Sequence, residues 1–317
     1  MTSIQPIRPN ITFLVPVTSK VDWERVVSDW LKTKGSGHTR RAYSQDLNHF
    51  LAHQRGLTVE HFLSDRHLAY SISSRYRGML LEQGKSGATI NRRLSALKSF
   101  TAYCYQCGHC EFTLEAVKLE KLKTYRDTSG IDVATYKEIL ETCPRTTIQG
   151  MRDYAILTLL WSNALRRSEV SKCNVSDFNP RQRTLKIFGK GRGTQSEIIT
   201  LGQSTIKAIA IYLEARTASA SEPLFVAHKP GYEGRRLSTN SIYNLVRTRA
   251  TEAGIAKVMS PHRVRHSAIT TALDVTGGDV RRVQKLSRHA NLNTLIIYDD
   301  NRINAQAQVT ELLDGLV

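Results

Sequence analysis

Before residue 110, apolar side chains recur at helical spacing in four successive stretches, and this periodicity limits what the first third of the chain can become. In VDWERVVSDWLKT the apolar positions are Val21, Trp23, Val26, Val27, Trp30 and Leu31. In GHTRRAYSQDLNHFLAHQRG they are Tyr43, Leu47, Phe50 and Leu51, with Thr39 as the expected cap. DRHLAYSISSRYRGMLLEQGKS gives a third helix, and SGATINRRLSALKSFTAYCYQCG a fourth with Ile90, Leu94, Leu97 and Phe100 inward. Such spacing marks helices that bury one face. Gly108 is placed to cap the last of them. Residues 21–112 therefore read as a small helical domain, behind an arm of residues 1–20 that carries three prolines.

LEAVKLEKLKTYRDTSGIDV is polar and lysine-rich, so residues 113–130 read as a linker to a second domain over 131–300. There, DVATYKEILETC and MRDYAILTLLWSNALRRSEVSKC are helical, the second so apolar in its middle that it must be buried. RTLKIF and EIITL alternate like strands around GKGRGTQS, whose glycines suit a hairpin turn. Helices return in QSTIKAIAIYLEAR, STNSIYNLVRTRATEAG, the stretch after Ser260, and DVRRVQKLSRH. A tail helix over 301–317 carries an apolar stripe of Ile303, Val309, Leu312, Leu313 and Leu316. The expected class is mainly α (α+β), with one small antiparallel sheet.

A formal charge of +17, from 45 Lys and Arg against 28 Asp and Glu, is spread along the chain. The surface should be basic, and a polyanion is the natural partner. On the helical domain the candidates for that contact are Arg40, Arg41, Arg92, Arg93 and Lys98. No apolar run approaches the length of a membrane span, and the broken N-terminal stretch around Pro16 is poor material for a signal peptide. Five cysteines without an export signal point to a reducing compartment, the cytoplasm. Cys104, Cys107 and Cys110 have metal-like spacing, but no second such cluster follows, which weighs against zinc.

SPHRVRHS, residues 260–267, concentrates charge at a helix start: Ser260 is an N-cap residue and Pro261 suits the first turn. His262, Arg265 and His266 then share one face by their i, i+3, i+4 spacing. Zinc between the two histidines would be repelled by Arg265. Other polar islands are NALRRSEV with Arg166, FGKGRG with Lys190, and LSRHANLNTLIIYDD with His289 nine residues before Tyr298. In this order the islands resemble the signature of the tyrosine recombinases, the family of phage integrases and Xer-type resolvases. That pattern runs through an Arg in a G-L-R-x-S-E-like segment, a hairpin Lys, H-x-x-R, and a His nine residues before a nucleophilic Tyr. TRRAYSQDLNHF and INRRLSALKSF are similar to the family's SAM-like core-binding domain.

The resemblance implies site-specific DNA recombination through a 3′-phosphotyrosine link and a Holliday junction, with no metal, cofactor or ATP. It also implies a monomer that forms a homotetramer on double-stranded DNA sites, with accessory DNA-bending proteins as further partners and a nucleoid location in a bacterium, phage or mobile element. Arg166 and Arg265 would clamp phosphate oxygens, His262 would take the proton of Tyr298, Lys190 would protonate the 5′-oxygen, and His289 would bind phosphate. These side chains fit that chemistry in their own right. Guanidinium groups match two non-bridging oxygens, and a phenol with a pKa near 10 is only about one part in a thousand ionised at neutral pH. Two rival readings remain at this point: a type IB topoisomerase-like relaxing enzyme, and a DNA-binding regulator whose catalytic set has decayed. Departures from the pattern are Asn163 and Ala164 where the family usually has Thr-Gly, and Arg288 where it often has Gly. Asn163 is expected to take the left-handed turn position, and Arg288 and Arg192 to meet DNA.

Overall fold

The computed structural model describes residues 21–54, 56–121, 130–189, 196–302 and 305–316. The expected arm, Lys190 and Arg192 therefore lie outside the described residues. The described chain falls into two compact units, divided between Leu122 and Lys123.

The first unit holds helices α1 (Trp23–Lys32), α2 (Gly37–Ala52), α3 (Val59–Ser64), α4 (Arg66–Glu82) and α5 (Gly87–Gln106). Each starts at a side chain that accepts a backbone N–H of the first turn: Asp22, Ser36, Thr58, Asp65 and Ser86. The cap of α2 is thus Ser36 and not Thr39, whose own N–H donates to the Ser36 hydroxyl at 3.0 Å. At the end of α5, Gly108 turns left-handed at φ 74° and lets His109 N–H donate to Cys104 O at 2.8 Å, as expected of a glycine there. Trp30, Phe50, Phe62, Tyr76, Leu94 and Phe100 meet in one core.

Phe112, Leu114 and Val117 are buried in that same core. Asn91 holds both backbone groups of Glu120, at 2.9 and 2.7 Å, and Arg77 pairs with its carboxylate. The first part of the expected linker is therefore a strap packed on the first unit, at least as far as Glu120. The rest, residues 122–129, lies outside the described residues.

The second unit begins with α6 (Val133–Glu141), α7 (Ile148–Ser162) and α8 (Arg167–Lys172). A three-stranded antiparallel sheet follows in the order β1 (Phe178–Asn179), β2 (Thr184–Phe188), β3 (Ser196–Thr200). Leu185 pairs with Ile199 and faces inward, whereas Lys186 and Ile198 face out. The chain continues through α9 (Gln203–Ala215), α10 (Thr239–Glu252), α11 (Pro261–Val275), α12 (Val280–Ser287), α13 (Asn293–Arg302) and α14 (Ala305–Asp314). As its composition requires, α7 is buried on nearly all sides and packs against α9 and α11. None of the helices in the described residues is long and apolar enough to cross a membrane. A second, smaller apolar cluster joins α11, α12 and α13 through Ala268, Ile269, Leu273, Val283, Leu295 and Tyr298.

Candidate active site

The site is built on the start of α11. Ser260 accepts from Arg263 N–H at 3.2 Å, Pro261 occupies the first turn, and the next residues project as their spacing requires. His262 is exposed, while Arg265 and His266 are buried. The Nε2 atoms of His262 and His266 lie 2.8 Å apart, so one ring donates a hydrogen to the other. The His266 ring stands 4.9 Å from that of Tyr298, edge to face, and the His289 ring, tilted, 6.1 Å from it. Tyr298, which α13 supplies, is itself only 5% exposed.

Arg265 is fixed by backbone, not by a carboxylate. Its guanidinium donates to Ala164 O and Ser287 O, and Nη2 lies 3.5 Å from His289 Nε2. Burial, then the nearby Arg166 and Arg288 cations, pulls it down to about 9, which still leaves it charged at neutral pH. Burial also holds His289 down to about 4, with Arg265, Arg166, Arg288 and His262 adding to the effect. His289 is therefore a neutral imidazole at physiological pH, and its buried Nδ1 has no protein hydrogen-bond partner. Such a nitrogen among cations is suited to a phosphate oxygen.

Arg166 stands just before α8. Its backbone N–H donates to Glu169 Oε2 at 2.8 Å and its Nη1 to Oε1 at 3.0 Å, yet 31% of the side chain stays open. Glu169 is 1% exposed and also accepts from Arg288 Nη2 at 3.2 Å. One buried carboxylate thus orients two arginines, and Arg166 keeps a free face for an anion. Its Arg166–Glu169 pairing and its availability to a phosphate are compatible.

Three expectations change. The left-handed residue after α7 is Ala164 (φ 45°), not Asn163 (φ −114°), whose amide instead donates to Thr200 O at 2.8 Å. For a residue with a Cβ that conformation costs roughly 1–2 kcal/mol, and here it turns the Ala164 carbonyl toward Arg265. Arg288 does not present its charge at the surface: its side chain is 6% exposed and all its bonds go inward. Arg93 and Lys98 are likewise largely internal, Arg93 beside buried Asp46 and Lys98 on Glu115 and the carbonyls of Glu115 and Val117. Arg92 also pairs with Asp46 but keeps 45% exposure, so it ties α5 to α2 while remaining accessible. Arg40 and Arg41 are exposed and border, with Lys32, a shallow cavity of about 490 Å³ on the first unit. Sequence reasoning had no signal for the Ala164 and Ser287 carbonyls, because backbone acceptors leave no mark in residue identity.

A basic helical unit followed by a helical unit with a small sheet, in which arginines and histidines surround a tyrosine, defines a class of DNA strand-transfer proteins. The chain belongs to the tyrosine recombinase, or phage integrase, family. The sequence model of the Phage integrase family matches residues 131–304, and that of the phage integrase N-terminal SAM-like domain matches residues 28–108. The chain is 47% identical over 302 residues to tyrosine recombinase slr0733 of Synechocystis sp., covering 93% of this chain and 96% of the relative. It is 31% identical over 225 residues to tyrosine recombinase XerC of Corynebacterium glutamicum, covering 70% of each. Its fold is shared with XerH site-specific recombinase in a crystal structure bound to palindromic difH substrate, with a TM-score of 0.64 and 18% identity over 87% of this chain and 80% of that one.

Proposed function

We propose that this protein is a site-specific recombinase that cuts and rejoins double-stranded DNA through Tyr298. The observation that carries the reading is the assembly of Arg166, Arg265, His289 and Tyr298, from four separate elements, around one small region of the second unit. In the proposed reaction Tyr298 Oη attacks the scissile phosphorus, and the bond from phosphorus to the 5′-oxygen breaks. The phenolic proton passes to His262, whose ring is hydrogen-bonded to His266. Lys190 returns a proton to the departing 5′-oxygen. Arg166, Arg265 and the Nδ1 side of His289 hold the non-bridging oxygens, where charge builds up at the transition state. The 3′-phosphotyrosine keeps the energy of the broken bond, so the reverse attack by a 5′-hydroxyl needs no ATP. Metal and cofactor have no step in this scheme.

Both units would grip the duplex, with Arg40, Arg41 and Arg92 of the first among the phosphate contacts. We further propose a monomer that becomes a tetramer on two sites, in the bacterial cytoplasm and on the nucleoid, with DNA-bending proteins as accessory partners. Leu312 and Leu313 on α14 and Leu316 just beyond it are 71%, 60% and 81% exposed, which supports a tail that docks on a neighbouring protomer. Deleting residues 303–317 should then impair pairing of two sites more than binding to one; equal loss of both in a mobility-shift assay argues against the exchange. The function itself is tested on a plasmid carrying two copies of the native site. Deletion or inversion between the sites is expected, whereas relaxation of supercoils without exchange would point to a topoisomerase.

A further inference from the structure

We propose that Arg288 is a positioning residue for strand cleavage, locking the turn before Arg166 to the turn before His289. This rests on the reading of the site given above and extends it to a residue at which the family often has glycine.

The geometry gives Arg288 two jobs at once. Its backbone, left-handed at φ 56°, ends α12 and sets the direction in which His289 leaves the helix. Its guanidinium crosses to the other half of the site: Nη1 donates to Asn163 O at 3.1 Å and Nη2 to Ala164 O at 3.3 Å. A further bond from Nη2 reaches Glu169 Oε2 at 3.2 Å, the oxygen that also accepts from Arg166 N–H. A fourth, from Nη1 to Leu286 O at 2.6 Å, ties the side chain to its own helix end. The Ala164 carbonyl is shared with Arg265. Arg288 therefore touches the support of Arg166, of Arg265 and of His289 without facing solvent itself.

The arrangement is costly in local terms. A residue with a Cβ occupies a conformation that glycine adopts freely, a cation is buried, and its Nε has no partner. Local stability favours glycine at this position. The buried fork is explained if it holds two phosphate-binding residues in register. It also adds positive charge beside His289, which faces Arg265 and His262 of α11, Arg166 before α8, and the Tyr298 ring of α13.

The test compares wild type, Arg288→Gly and Arg288→Lys in single-turnover cleavage of a nicked DNA site, with DNA affinity and the His289 titration measured in parallel. Arg288→Gly keeps the backbone conformation and removes the tie. It should cleave about 10- to 100-fold more slowly, as expected for misplaced reacting groups, with DNA affinity within about twofold of wild type. The His289 midpoint, followed by NMR of the imidazole, should rise from about 4, because one of the cations that hold it down is removed. Arg288→Lys keeps the charge but not the fork, so it should hold the midpoint low while still cleaving slowly. Wild-type cleavage by Arg288→Gly overturns the proposal; if that variant does not fold, wild-type cleavage by Arg288→Lys overturns it. A wild-type protein that forms no covalent complex would instead remove the underlying functional reading.

Discussion

Tyr298→Phe is expected to lower DNA cleavage by at least about 10⁴-fold, because it removes the attacking oxygen and leaves nothing to replace it. The fold should survive. The ring packs among Ala268, Ile269, Leu273, Val283 and Leu295, and the substitution leaves that apolar surface in place. Loss of a single hydroxyl costs about 0.5–1.5 kcal/mol where it gives up a hydrogen bond, well short of unfolding a domain of this size. DNA affinity should change by less than about twofold, since binding is carried by the surrounding cations. Cleavage by the variant at the wild-type rate would mean that another residue attacks.

A second large effect is expected at Glu169, which touches no DNA in the proposed reaction. Its carboxylate is the acceptor for Arg166 N–H, Arg166 Nη1 and Arg288 Nη2, and it is almost fully buried. Glu169→Ala leaves Arg166, Arg265 and Arg288 crowded without that counter-charge. Removing one member of a buried ionic network commonly costs about 3–5 kcal/mol, of the order of 10 °C in the melting temperature of a domain this size. Arg166 would also lose its orientation, and cleavage should fall by about 10²–10³-fold in protein that remains folded. Glu169→Gln keeps the shape and one good acceptor, so its loss of stability should be smaller. Thermal melting and single-turnover cleavage check both statements; an unchanged melting temperature in Glu169→Ala would show that the arginines do not depend on this carboxylate.

Much of the fold was legible in the sequence because helix stripes and their caps are local. Ser260 and Pro261 announced the start of α11, and alternation announced β2 and β3. Most of the misses have one of two causes: an element too short to show a stripe, or a decisive partner distant in sequence. The short helix α3 has too few residues to show a stripe. The strap around Glu120 looked like a linker because its anchors, Arg77 and Asn91, lie some way back in the chain. At the site, the candidate groups came from the resemblance of their order and spacing to the family signature, and the structure places Arg166, His262, Arg265, His289 and Tyr298 in one region of the second unit. Lys190 is beyond what is described. Their supports were not legible: Arg265 rests on two carbonyls, and Arg288 looked like a surface cation because nothing near it in sequence reveals Glu169 or the Asn163–Ala164 turn.

The central claim is that the oxygen of residue 298 becomes bonded to phosphorus. It is tested most directly by trapping the wild-type protein on a nicked site, trimming the DNA with nuclease, and sequencing the modified peptide by tandem mass spectrometry. The account predicts a nucleotide joined through its 3′-phosphate to Tyr298. A nucleotide on any other residue, or DNA cut with no protein attached, would contradict it.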